Sequence, residues 1–265
     1  TSAYRMVAGL AAQPIGENYG MNFFQAIAKY NLLAAKLVAI NHAGRGYDVI
    51  HFHDWLTAKA GLSAAKETSR PAIATIHSTE FDRTAGLSPL DWILDTERAA
   101  VRESDAVITV SNMMREQLVQ KFSAEPSKLF VVYNGVSPSY FNGRKARQPA
   151  LGGKVVLFHG RLSIQKGPDF FLKAARRVLD ALPDVQFVVS GKGGMLQQLV
   201  NEAIALGIIR NVTFTGFTAD EDMPALYSSA DVYVLPSVSE PFGITALEAM
   251  AAGVPVIISK SAGVG

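Results

Sequence analysis

The sequence contains no cysteine. That excludes disulfides, thiolate metal sites and a cysteine nucleophile, and it fits a reducing, cytoplasmic compartment. An excess of either charge is also missing. With 25 basic and 23 acidic residues the net charge is +2 over 265 residues, a balance that points to neither nucleic acid nor a membrane surface. No uninterrupted apolar run of about 18 residues suggests a membrane span, and no charged start followed by an apolar centre marks a leader. Internal repeats and low-complexity tracts are missing too. What is present, 49% hydrophobic and 18% charged residues, is the composition of a globular protein with a substantial core in one or two domains.

The apolar residues fall in short β-branched runs. DVIHF (48–52), AIATI (72–76), AVITV (106–110) and LFVVY (129–133) predict strands in the first half. VVLF (155–158), QFVVS (186–190), VTFTG (212–216), VYVLP (232–236) and VPVII (254–258) predict strands in the second. They show little polar alternation, which is how strands covered on both faces of a parallel sheet read. Helical periodicity lies between them at 22–40, 91–102, 112–122, 168–182, 195–206 and 245–252. This alternation predicts an α/β protein with two Rossmann-like domains facing a cleft, lined by loops from the strand carboxyl ends. The segment 134–154, rich in Gly, Pro and charge, marks the boundary. The expected domains are 1–140 and 154–265, joined by a linker at 141–153. The helix at 22–40 is apolar enough for a membrane surface, but Lys29 and Lys36 form no basic stripe. It is expected to cover the first sheet.

Polar residues collect where strands end. After VVLF come His159, Gly160, Arg161, Lys166 and Gly167, and Pro168 opens a helix. Arg161 and Lys166 share this strand-to-helix loop, which suits a phosphate; a solvated pair of surface cations fits the same spacing. SVSEPFG (237–243) has the same architecture and leads into a helix near Gly243, Ile244 and Thr245, whose first amides are free donors. Glu240 stands ahead of that helix and Glu248 inside it. Each can meet a sugar or ribose hydroxyl, or serve a local hydrogen bond or salt bridge. GKGG (191–194) is a glycine-rich turn in which Gly191 allows close backbone approach, but it lacks the dinucleotide fingerprint, and a dehydrogenase reading fails there.

In the first half His51, His53 and Asp54 end one strand and His77 ends the next, followed by Glu80, Asp82 and Arg83. His51 and His53 share a face by the two-residue period. A metal reading of this group lacks a further ligand cluster, so none is expected. So much polarity beyond a buried strand calls for solvent or a ligand.

GRLSIQKG (160–167) followed by EPFGITALEAMAAGVPVI (240–257) resembles the retaining nucleotide-sugar glycosyltransferases of the GT-B fold. HFHDW (51–55) and TIHSTEFDR (75–83) make it similar to glycogen and starch synthases and their group 1 relatives. The resemblance implies that Arg161 and Lys166 neutralise the leaving diphosphate, Glu240 contacts the donor sugar and Glu248 the ribose. It implies that the backbone at Phe242, Gly243, Ile244 and Thr245 binds phosphate and sugar hydroxyls, with Gly160 and Gly191 on the same donor side. His53 or His77 meets the transferred sugar, and Asp54, Glu80 and Arg83 lie on the acceptor side. In this likeness the first domain lacks its first strand and the second its last helices, so both are expected to be incomplete at the chain ends. The activity implied is metal-independent transfer of a hexose such as glucose from a UDP- or ADP-sugar to a glycan, with no cofactor beyond the donor substrate. Transfer to a small phosphosugar or lipid-linked acceptor, and nucleotide-sugar binding without turnover, remain as alternatives.

Overall fold

The computed structural model describes residues 21–141 and 153–265. The opening residues, where a missing first strand was inferred, and nearly all of the linker expected at 141–153 lie outside the described residues. The chain divides into two compact units. The first takes in the chain up to Glu80 together with Pro89–Val132, and the second takes in Phe81–Ser88 together with Tyr133–Gly265.

The first unit is built on four parallel strands in the order β1-β2-β3-β4: β1 (Ile50–His53), β2 (Ala72–Ile76), β3 (Ala106–Thr109) and β4 (Leu129–Val131). Before β1 runs α1 (Met21–Arg45), followed by α2 (Asp54–Thr68), the short α3 (Glu80–Arg83), which from Phe81 on is counted with the second unit, and then α4 (Asp91–Glu103) and α5 (Asn112–Phe122). The Ser111 side chain accepts the Met114 N–H at 3.1 Å and so starts α5. α2 was not expected. Its small residues Ala58, Ala60, Gly61 and Ala64 are buried, and so many small side chains blur the apolar stripe that reveals a helix in a sequence.

α1 joins α2 through Asn31, which is 6% exposed. Asn31 Oδ1 accepts the Ala60 N–H at 2.7 Å and its amide donates to the Leu56 carbonyl at 2.8 Å. Around this clamp Trp92 meets Trp55 and Phe24 edge-on, with ring centroids 5.4 and 5.0 Å apart. Phe23–Arg45 has a mean hydropathy of 1.3 and, by length and composition, matches a membrane-crossing helix. A search for an unbroken apolar run passes over it because Lys29, Asn31 and Lys36 interrupt the stretch.

The second unit has five parallel strands in the order β7-β6-β5-β8-β9. They are β5 (Val155–His159), β6 (Gln186–Ser190), β7 (Val212–Gly216), β8 (Val232–Leu235) and β9 (Val256–Ile258). α6 (Pro138–Phe141) precedes them, and α7 (Pro168–Ala181), α8 (Leu196–Ala205), α9 (Met223–Ser228) and α10 (Ile244–Ala251) connect them. Each face of the sheet has its own core. Phe158, Phe171, Leu172, Phe187 and Leu199 fill one side, and Leu157, Tyr227, Tyr233, Leu235 and Ala246 fill the other. Alternation along β5 therefore sends Phe158 to the α7/α8 side, and Leu157 with His159 to the α9/α10 side.

Candidate functional site

In the second unit the strand order reverses between β5 and β8: β6 and β7 extend one way from β5, β8 and β9 the other. The crevice beyond the carboxyl ends at such a reversal is where open α/β sheets bind ligands. The segments after these two strands are the basic loop 160–167 and the acidic loop 236–243. The sheet therefore brings together two motifs that are far apart in sequence.

The loops are fixed to each other by backbone. The Gln165 carbonyl accepts the Val238 N–H at 2.9 Å, and the Ser237 carbonyl accepts Ser259 Oγ at 2.7 Å. Glu240 is held on both sides, its N–H donating to the Ser261 carbonyl and its own carbonyl accepting the Gly263 N–H, each at 2.9 Å. The glycine-rich turn after β6 packs under the basic loop. A Cβ on Gly191 would stand 1.8 Å from the Gly160 carbonyl oxygen, and one on Gly193 would stand 2.2 Å from that of Leu162. At Gly191 the backbone adopts φ +139°, so both space and conformation require glycine.

On this frame Lys166 Nζ lies 2.5 Å from Glu240 Oε2, with side-chain exposures of 21% and 7%. Ser237 Oγ adds a donor to the same carboxylate oxygen at 3.2 Å. α10 begins directly after Gly243, which has φ +109°, and no side chain caps it. Its amino terminus therefore offers backbone donors and the positive end of its dipole beside this pair. Thr245 Oγ1 is 2.8 Å from the Tyr233 hydroxyl. One turn into α10, Glu248 Oε2 accepts from the Tyr227 hydroxyl at 2.7 Å. Burial pushes both phenols well above their ordinary value, so each stays a neutral donor. Phe242 is buried, and Arg161 is exposed on the basic loop.

His159, which in sequence is only the end of a strand, sits among these groups. Its Nδ1 is 3.1 Å from Ser190 Oγ, which is 2.9 Å from Thr218 Oγ1. Its ring meets Tyr227 edge-on at 5.9 Å, and its carbonyl receives the Tyr233 hydroxyl at 3.1 Å. Burial, with the Lys166 charge beside it, lowers its pKa to about 4. No spacing rule identifies it, because its partners come from four other elements.

The first unit carries a separate cluster. His53 Nδ1 and His77 Nε2 are 3.0 Å apart, so one ring donates and the other accepts. The His51 ring stands 4.6 Å from that of His53, as the period-two reading requires, and His51 Nε2 meets Thr75 Oγ1 at 2.7 Å. Burial first, and then the neighbouring His51 and His77, hold His53 below the ordinary histidine value. Asp54 turns the chain at φ +52° and accepts the His77 N–H at 2.7 Å, so its carboxylate fixes the backbone that carries His77. Glu80 is 5% exposed and accepts the Leu90 N–H at 3.3 Å, while Glu97 Oε2 accepts the Glu80 N–H at 3.0 Å. Arg83, which falls in the second unit, closes α3 and is half-buried. Among the described residues no group of three or more His, Asp or Glu side chains is arranged to hold a metal ion. A groove of about 360 Å³ opens by α1, α2 and α4, lined by Phe24, Asn31, Trp55 and Trp92, and none of the candidate residues lines it.

Two family models match the chain. "Glycosyltransferase Family 4" covers residues 10–140 and "Glycosyl transferases group 1" covers residues 141–265. Over 229 residues the chain is 39% identical to an uncharacterised glycosyltransferase of Methanocaldococcus jannaschii, covering 82% of this chain and 58% of that one. It is 33% identical to a glycogen synthase of Mycobacterium tuberculosis over 226 residues, 82% of this chain and 53% of that one. It is 34% identical to a D-inositol 3-phosphate glycosyltransferase of a Mycobacterium species over 289 residues, 99% of this chain and 64% of that one. Among solved structures, sucrose-phosphate synthase of Thermosynechococcus elongatus aligns with a TM-score of 0.78 at 25% identity, over 95% of this chain and 65% of that one. HepE of Anabaena in complex with UDP-glucose aligns with a TM-score of 0.72 at 26% identity, over 87% and 64%. The chain thus spans between 53% and 64% of the length of these curated relatives.

Proposed function

This chain belongs to the group 1 glycosyltransferases and has their GT-B fold class, and on that premise we propose that it moves a hexose, glucose or a close analogue, from a UDP- or ADP-sugar to a glycan hydroxyl. The observation that carries the reading is the Lys166–Glu240 pair, 2.5 Å apart beside the uncapped start of α10. Breaking a sugar–phosphate bond builds negative charge on the departing diphosphate. Lys166, Arg161 and the first amides of α10 are positive groups that stabilise this charge as it grows, a term of several kcal/mol. They do so without a metal ion in this proposal.

Glu240 presents acceptor oxygens to sugar hydroxyls beside the cation that takes the phosphate. Glu248, oriented by Tyr227, keeps acceptor capacity for a ribose. Gly160, Gly191 and the backbone of Phe242, Gly243, Ile244 and Thr245 complete the donor side. We assign His53 or His77 to the transferred sugar, and Asp54, Glu80 and Arg83 to the acceptor side. Retention of anomeric configuration, by same-face attack of the acceptor hydroxyl, belongs to the same proposal.

A second reading rests on the D-inositol 3-phosphate glycosyltransferase likeness, which spans 99% of this chain: the acceptor is then a small phosphorylated polyol. A matrix of UDP-glucose, ADP-glucose and GDP-mannose against oligoglucans and inositol phosphates, run on the full-length protein, separates the two. Labelled glucose on the oligoglucan is the expected result. Label only on the phosphorylated polyol selects the second reading, and nucleotide binding without transfer to any acceptor overturns both.

A further inference from the structure

β5 ends in an imidazole that the reaction described above leaves without a role. His159 is half-buried at the strand reversal, on the α9/α10 side of the sheet. Nδ1 is engaged by Ser190 Oγ at 3.1 Å, and Thr218 anchors Ser190 in turn at 2.9 Å. The ring edge rests against Tyr227, the phenol that orients Glu248. Lys166 is near enough for its charge to act on the ring. The backbone carbonyl of the same residue joins Tyr233, which leads to Thr245 at the start of α10. One residue thus touches the supports of both the expected ribose acceptor and the expected phosphate cradle. Nε2, by contrast, makes no hydrogen bond among the described residues.

We propose that His159 is a donor-binding residue, its Nε2 hydrogen-bonding to the nucleoside diphosphate part of the donor while Ser190 and Thr218 hold the ring from behind. The proposal rests on the donor-site reading given above. In the tautomer that the proposal uses, the Ser190 hydroxyl donates to Nδ1 and the proton is on Nε2, which then points a neutral N–H donor at an anionic or hydroxyl oxygen. A neutral ring suits this place. A second full charge beside Lys166 would be repelled, whereas a neutral donor adds directional hydrogen bonding to the Lys166 point charge.

Two isosteres divide the ring's two ends. Asn at this position puts a polar atom near Nδ1 and keeps the Ser190 contact. Gln reaches to the Nε2 position. Calorimetric titration of the full-length protein with UDP and with ADP compares wild type, His159→Asn and His159→Gln, with thermal unfolding run in parallel. We expect His159→Asn to weaken nucleotide binding about tenfold, the size of one hydrogen bond to a charged group, and His159→Gln to stay within about threefold of wild type. The reverse order, Asn normal and Gln weakened, makes Ser190 anchoring the role and overturns the proposal. So does unchanged affinity in both variants. Wild-type protein that binds neither nucleotide overturns the donor-site reading itself, whatever the variants do.

Discussion

At the scale of single residues, the two charges at the heart of the candidate site stand or fall together. Glu240 is buried and Lys166 largely so, and a buried carboxylate that loses its cation keeps its desolvation cost with nothing to offset it. Lys166→Met should therefore lower stability by about 2–4 kcal/mol. The double variant Lys166→Met with Glu240→Gln, which removes both charges, should recover most of that. Transfer should behave differently. In the proposed role, loss of a fixed positive group at the leaving diphosphate costs on the order of 100-fold in turnover, and the double variant should not regain it. Denaturant titration and turnover on the same preparations test this. A Lys166→Met enzyme with near-normal turnover would remove Lys166 from the mechanism.

The same residues show what was legible beforehand. Arg161, Lys166, Glu240 and Glu248 stand out as candidates because each lies beyond the end of a strand, while the choice between a donor site and a surface or local ion pair comes from the resemblance and not from the spacing. That Lys166 and Glu240 pair directly was not, because the contact spans 74 positions in sequence and depends on strand order. His159 and its partners Ser190, Thr218 and Tyr227 stayed hidden for the same reason. Ser and Tyr at strand ends carry no pattern of their own.

At the scale of elements, the strands were legible to within a few residues. β2, β6 and β7 occupy the predicted ranges, while β4 stops at Val131 and β9 starts at Val256. β-branched runs announce buried strands, but the hydrogen-bonded ladder ends where the neighbouring strand ends, which no single run encodes. The short α9 and the small-residue α2 escaped because neither shows an apolar stripe of useful length. The glycine-rich turn after β6 illustrates a motif whose meaning changed. Its composition suggested backbone approach to a ligand, and the structure adds approach to the Gly160 loop. Gly191→Ala should cost about 3 kcal/mol or more, since its Cβ would meet the Gly160 carbonyl at 1.8 Å. Gly194→Ala, where a Cβ meets nothing within 4 Å, should change stability by less than about 0.5 kcal/mol. Equal unfolding midpoints for the two variants would show that the loops do not pack as described.

At the scale of the whole molecule, the question is what α1 is for. By composition Phe23–Arg45 resembles a membrane-crossing helix, and only 11% of its apolar window is buried. Asn31 argues for a packed helix instead. Its side chain takes up the buried Ala60 N–H and gives to the Leu56 carbonyl, contacts that hydrocarbon cannot supply. A helix that left for a bilayer would orphan that amide and expose Trp55, now 5% accessible. Asn31→Ala should then cost about 1–3 kcal/mol, the penalty of an unsatisfied buried donor. Hydrogen exchange at the Ala60 amide should accelerate in that variant. In the unaltered protein the same amide should stay protected when lipid vesicles are added. If vesicles alone strip its protection, α1 is a membrane element and the clamp to α2 is not its resting contact.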